Sequence, residues 1–358
     1  MALFYHEDPV SNSTTNGASG RLEPRFGWLL GASVVALMLL ALAALSIGPY
    51  HAPLGELIAL LWRKLAGTAS AAGSPIETVL LQIRGPRVLA AMTVGGALAA
   101  AGAAYQSLFR NPLVSPDILG VSSGAALGAV VGIYLALPIV AIQGLAFAGG
   151  LAAVTVVYAI AAAIPGRDPI LVLVLGGIVV GALLGSGVAL MKFLADPYNQ
   201  LPAITFWLLG SLSATHAGDL ASLAPAVLVA LAPLLLLRWR IDVMTLGDEE
   251  ARALGVDPRT IRFAVIAGAT LMTAAAVSIS GIVGWVGLVV PHLVRLIVGP
   301  AFVRLLPMTV LVGAFYLLAV DTVARTLGTV ELPLGVLTAA LGTPLFLWLL
   351  AFGRRDGP

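Results

Sequence analysis

The chain has 358 residues, of which 59% are hydrophobic and 10% charged, with a mean hydropathy of +1.03 and a formal net charge of +2. A soluble domain of this length cannot hide so much apolar surface, so composition excludes a water-soluble globule and specifies an all-α polytopic membrane protein. The absence of cysteine removes disulfides, thiolate metal sites and thiol nucleophiles, and the scattered basic residues form no stripe for nucleic acid.

In chain order, residues 1–26 read as a disordered cytoplasmic tail, rich in Ser, Asn and Thr. The transmembrane domain occupies 27–353, and 354–358 form a short cytoplasmic end. Gly27–Gly48 is long enough to span, and Arg21 and Arg25 ahead of it put the tail inside. Pro49–Arg84 reads as an external loop carrying an amphipathic surface helix over Leu54–Leu65. A second span, Pro86–Phe109, ends at Arg110, and Asn111-Pro112 breaks it. Asp117 is placed to cap the next span, Ile118–Leu135. Leu137–Ile164 returns to an inner turn holding Arg167, Asp168 and Pro169. Ile170–Met191 leads out to a polar turn at Asp196–Gln200 and a short surface helix, Ile204–Leu212. Leu220–Leu237 comes back in and stops at Arg238 and Arg240. After a polar mid-chain stretch come Phe263–Ile282, Trp285–Ile297, Val303–Val323 and Leu334–Phe352.

That gives ten spans with both termini cytoplasmic. Arg63, Lys64, Arg84, Arg87, Lys192 and Arg325 fall outside, and the other thirteen of the nineteen Lys and Arg fall inside, as the positive-inside rule requires. Five spans precede the polar stretch and five follow it. An odd-numbered repeat must be inverted, so the pattern predicts an inverted 5+5 pseudo-repeat.

The polar stretch is the most informative segment. Four acids and three bases lie between Asp248 and Arg262. Gly247 and Asp248 suit a helix start, and Glu249 and Glu250 suit the positive end of its dipole. Ala251, Arg252, Ala253 and Leu254 carry the helix to Gly255, which supplies a left-handed stop, and Pro258 bars continuation. The result is a short polar helix between two apolar spans, either a solvated loop or a handle for a soluble partner.

The chain lacks G-x-x-x-x-G-K-[ST] and H-E-x-x-H, and its four histidines, His6, His51, His216 and His292, are far apart in sequence. Gly120-Val121-Ser122-Ser123-Gly124 fits G-x-S-x-G but follows no strand, so small-residue packing explains it better than a nucleophile. Gly177, Gly181 and Gly185 share one helix face, which permits close helix approach. Gly281, Gly284 and Gly287 mark an irregular outer corner beside Trp285. Ionisable groups inside the spans are scarce. Asp321, one turn from Arg325, is the main candidate and reads as its ion-pair partner. The scarcity disfavours a proton- or sodium-coupled carrier, and energy is expected to enter from a partner. Arg84 and Arg87 share a helix face if the second span begins early, as interfacial anchors or as an external basic patch.

Arg84–Ala129, RGPRVLAAMTVGGALAAAGAAYQSLFRNPLVSPDILGVSSGAALGA, resembles the permease subunits of type II ATP-binding-cassette importers, the iron-siderophore, haem and cobalamin uptake family. LGDEEARALGVD, then GIVGWVGLVVPHLVRLIVG (Gly281–Gly299) and DTVARTLGTVELPLGVLTAALGTPLFLWLL (Asp321–Leu350), are similar to the same family in the same order. The likeness covers about Gly27 to Phe352. It implies a homodimer of ten-span permeases in the bacterial inner membrane, with two ATPase subunits below and a periplasmic substrate-binding protein above. It implies that Gly247–Gly255 is the coupling helix seated in the ATPase, and that Arg84, Arg87 and Arg325 meet acidic residues of the binding protein. It further implies that Arg167–Pro169 belongs to the cytoplasmic gate. No cofactor is expected in this chain, since ATP-Mg would bind the partner ATPase. Haem is the favoured cargo, a ferric siderophore the next and cobalamin the alternative. A secondary carrier and an intramembrane hydrolase built on Ser122 are the competing classes.

Overall fold

In a computed structural model, the structure describes residues 24–48, 75–164, 167–328 and 330–352, together with Pro53, Gly55, Glu56, Ala59, Trp62 and Ala66. The tail before Pro24, most of the Leu54–Leu65 surface helix and the 354–358 end lie outside the described residues. Every described regular element is helical.

The helices are α1 (Pro24–Ser46), α2 (Gly85–Leu108), α3 (Val121–Tyr134), α4 (Ile139–Ala163), α5 (Pro169–Leu194), α6 (Gln200–Leu209) and α7 (Ala217–Leu236). They continue with α8 (Arg238–Met244), α9 (Asp248–Ala253), α10 (Pro258–Ser280), α11 (Val286–Val298), α12 (Phe302–Ala324) and α13 (Leu334–Phe352). Ten of these overlap the predicted spans, and α6 overlaps the short helix expected over Ile204–Leu212. The second span does begin early. A helical turn at Pro75–Thr78 and a π-helical segment, Val79–Arg84, run straight into α2, so that the apolar helix covers Val79–Leu108.

Seven helices are long and apolar enough to cross a bilayer alone, namely α1, α2 with its π-helical lead-in, α4, α5, α7, α10 and α12. The other three, α3, α11 and α13 over Leu334–Leu349, are shorter. Of the ten expected passes, seven correspond to helices long enough to cross alone, and packing explains why two of the rest are short. Gly287, at the start of α11, lies against the Leu98 carbonyl and Pro116, and a side chain on Gly102 would strike the Gly287 backbone. Leu98 and Gly102 are in the middle of α2, so both α11 and the turn that leads into α3 begin near mid-depth. Irregular chain at 109–120 and 281–285 makes up the remaining distance. Non-helical backbone at such depth is tolerated where it is enclosed by protein. The irregular corner expected beside Trp285 is there, but near mid-depth and not at the outer side: Gly281 and Trp285 both have positive φ (66° and 69°), and the Trp285 ring packs edge-on to Phe346 of α13.

The core is built on α2 and α10, which are buried along most of their length and pack on each other. Alanine and glycine line both, which lets backbones approach closely in a medium where apolar side chains gain nothing by leaving lipid. Gly95 of α2 faces Gly313 of α12, and Gly124 of α3 faces Gly149 of α4, each so close that a methyl group would collide with the opposite carbonyl. Packing partners repeat between the halves: α3 packs on α4 as α11 does on α12, and α2 packs on α12 as α10 does on α4. Gly177 and Gly181 of α5 lie against the turn at Ile118–Gly120, which supports the packing reading of that glycine face, whereas Gly185 faces open space.

Candidate functional site: the two polar ends of the bundle

α2 places the two candidate ends about 36 Å apart, since its 24 residues each rise about 1.5 Å. At its first turn stand Arg84 and Arg87, and just past its last turn stands Arg110, close to Gly247 and Glu250.

At the arginine end, three segments far apart in sequence converge. Arg87 donates from Nε and Nη2 to Asp321 on α12 at 2.9–3.1 Å, and from Nη1 and Nη2 to Glu331 at 2.8 and 3.0 Å. A guanidinium presents two edges, and here each edge grips one carboxylate in the paired geometry that planar fork favours. Asp321 is completely buried, and Arg325 reaches it more weakly, at 3.9 Å. The sequence suggested an Asp321–Arg325 pair. The structure keeps it as the longer contact and gives Asp321 to Arg87 first. Arg325 spends its Nη groups on the Ala44 and Ile47 carbonyls, and Arg84 donates Nη1 to the Leu45 and Ser46 carbonyls at 2.7 and 3.2 Å. These are carbonyls at the C-terminus of α1, which have no intrahelical donors, and cations suit that negative end. The three predicted arginines are therefore brought together, and Arg84 and Arg325 are buried there.

At the opposite end, α9 forms as the sequence predicts. Gly247 (φ 131°) precedes it, Gly255 (φ 76°) ends it, and the next helix starts at Pro258 behind an Asp257 cap. Asp248 has a different role from the one expected. Its carboxylate does not cap the helix but accepts from Arg262 of α10 at 3.1 Å, which pins α9 to the bundle. Ala251 is buried beneath, while Glu249, Glu250, Arg252, Ala253 and Leu254 face outward. Leu246 and Leu254 bracket this acidic face and are more than half exposed. Asp242 of α8 accepts from the Phe302 and Val303 amides, tying the α9 region to the start of α12. Burial outweighs these bonds and pushes the Asp242 carboxyl above its ordinary range.

The Arg167–Pro169 turn lies at the same end, between α4 and α5. Asp168 caps α5 by accepting from the Ile170 amide at 2.9 Å, and Pro169 occupies the first helical position. Arg167 is exposed and stands beside an apolar groove of about 360 Å³ lined by Ile160, Ile164, Leu171, Leu175 and Val179.

Two expectations about carboxylates change. Asp117 does not cap α3, which begins behind left-handed Gly120. Instead the Ser122 hydroxyl donates to it. No group of three or more His, Asp or Glu residues that could hold a metal occurs among the described residues. The residue that sequence reading missed is Glu331. Its signal was available: it is the sole acid between Asp321 and the apolar run of α13.

The bundle thus joins broken mid-depth segments to a clamp of buried charges at one end and an exposed acidic helix at the other. The chain belongs to the FecCD transport family, whose sequence profile matches residues 36–352, and it is a permease. It is 37% identical over 345 residues to the hemin transport system permease protein HmuU of Yersinia pestis, covering 94% of this chain and 99% of that one. It is also 37% identical over 321 residues to the molybdate import system permease protein MolB of Haemophilus influenzae, covering 90% and 94% respectively. An inward-facing metal-chelate type ABC transporter superposes with a TM-score of 0.82 at 34% identity, covering 92% of this chain and all of that one.

Proposed function

We propose that this chain is the membrane subunit of an ATP-driven importer that moves an iron-bearing chelate from periplasm to cytoplasm. Haem is the favoured cargo, a ferric siderophore the next and cobalamin the alternative. The observation that carries the ATP-driven part is α9, a folded helix clamped to the bundle by Asp248–Arg262 that turns acids and two leucines to solvent. Such a face is shaped to seat in a soluble partner, with apolar anchors and a charged rim. On this reading Gly247–Gly255 is the coupling helix and its end of the bundle is cytoplasmic, with both termini. Two copies of the chain enclose the pathway, and two ATPase subunits hold ATP-Mg. A periplasmic binding protein docks at the end that holds Arg84, Arg87 and Arg325, and Arg167–Pro169 flanks the inner gate. The membrane is the bacterial inner membrane. ATP shifts the bundle only if its partner grips one packing of the helices more tightly than the other, and the rigid connection from α9 into α10 supplies that path.

Haem is supported by the length of the match to the hemin permease, although the molybdate permease matches at equal identity. The test is uptake of radio-iron haem, a ferric siderophore and cobalamin into proteoliposomes holding this chain with its ATPase and binding protein. ATP-dependent accumulation of haem is expected. Accumulation by the chain alone under a proton gradient would overturn the reading in favour of a secondary carrier.

A further inference from the structure

The arginine end holds three cations in two different conditions, and the inference drawn from this rests on the reading above that a binding protein docks there. Arg84 and Arg325 are committed to the architecture: they donate to the last carbonyls of α1 and are buried. Arg87 is divided. Its inner edge grips Asp321, which has no exposure, and its outer edge grips Glu331, whose side chain is 42% exposed. The two carboxylates therefore differ in what can replace them. Asp321 sits on α12 inside the bundle and nothing from solvent reaches it. Glu331 lies in the connection between α12 and α13, where a competing carboxylate has open access. Leu327, Val330 and Leu332 in the same connection are also exposed. An exchangeable charge on a segment that also exposes apolar side chains has the composition of a protein interface, not of a free solvated loop.

We infer that Glu331 is an internal stand-in for the docking protein's acid. It occupies the outer edge of Arg87 while the site is empty and yields that edge to a carboxylate from the partner. The occupant is a protein that presents an acid flanked by apolar side chains, and Arg87 is the one arginine of the three that it engages without dismantling the end of α1. Docking then exchanges one ion pair for another. Because the pair count is unchanged, docking to the native chain depends only weakly on salt, and its specificity comes from the fit of the exposed apolar side chains. The planar two-edged guanidinium makes the exchange feasible, since Asp321 keeps Arg87 in place while its other edge changes partner.

The experiment uses the whole transporter, with its ATPase, in neutral-lipid nanodiscs and the purified periplasmic binding protein of the same transporter. Association is measured from low to high salt for native chain, Glu331→Gln, Glu331→Ala and Arg87→Ala, with a thermal melt of each. Removing the stand-in is expected to tighten docking by roughly two- to fivefold at low salt, the range for one partly exposed ion pair, and to steepen its salt dependence. Arg87→Ala should weaken docking. If Arg87→Ala weakens docking while both Glu331 variants leave it unchanged or weaker, Glu331 merely positions Arg87 and the inference falls alone. If Arg87→Ala leaves docking intact, the arginine end is not the docking site, and the reading beneath the inference falls with it.

Discussion

The two polar ends use the same residue types in opposite ways. At the arginine end, Asp321 and Arg84 are buried and bonded within the chain. At the α9 end, Glu249, Glu250 and Arg252 face solvent, and their nearest ion pair, Arg252–Asp248, is a long 3.8 Å contact. A buried charge must be satisfied where it stands, so the first end is held shut by its own groups. An exposed charge is nearly free to choose its partner, so the second end is open to another molecule. Substitutions should therefore separate the ends, with stability lost at one and coupling lost at the other.

The largest stability effect is expected from Asp321→Ala. It leaves a buried guanidinium edge without its carboxylate, which costs about 3–5 kcal/mol, and thermal unfolding in detergent should fall by several degrees. A melt unchanged from native would mean that water enters this end and that the contrast is false. Replacing Glu249–Leu254 with a Gly/Ser linker should do the reverse. The Asp248–Arg262 clamp remains and Ala251 is the one buried side chain replaced, so the melt should fall little, yet ATP hydrolysis by the partner should no longer drive uptake. Normal transport by that variant would remove α9 from the mechanism.

A finer cut uses the leucines that bracket α9. Leu254→Ser removes an exposed apolar side chain that touches little of this chain, so stability should be unaffected. Association with the ATPase should weaken by about 1–2 kcal/mol if Leu254 is buried on assembly, as measured by titrating the purified ATPase. Loss of stability without loss of association would show that Leu254 belongs to this chain's own packing.

What sequence reading reached and what it missed divide along the same line. The apolar spans and α9 were legible because their signals are local: runs of apolar residues, a glycine before Asp248, another at Gly255, a proline at 258. The depth at which α3 and α11 begin was not, because it is set by Gly102 and Gly287 meeting across 185 residues of chain. The clamp was half legible. Asp321 and Arg325 are one turn apart and could be paired from spacing, but the tighter partner, Arg87, is 234 residues away in the sequence. Asp248 opens a helix, which points to a cap, yet a neighbouring helix offers it Arg262, and a charge-assisted bond at 3.1 Å wins.

The smallest effect sharpens the comparison at the open end. Asp257 caps α10, accepting from the Arg259 and Thr260 amides and from the Thr260 hydroxyl at 2.6 Å. The Thr260 hydroxyl first, then the Arg259 amide, hold its carboxyl below the ordinary range. A carboxyl whose folded pKa is depressed contributes stability that is present above its unfolded pKa of about 3.9 and is lost as pH falls through the folded value. Asp257→Ala should therefore melt slightly below native at neutral pH, and the two curves should converge as pH drops below that window. Asp257 is fully exposed, so the difference at neutral pH should be small, but it bears on function through position. The cap fixes where α10 starts, three residues after Gly255, and so sets the angle at which α9 leaves the bundle. If Asp257→Ala lowers ATP-driven uptake more than it lowers the melt, the exposed end depends on a rigid exit from α9. If both fall together, the cap serves stability alone.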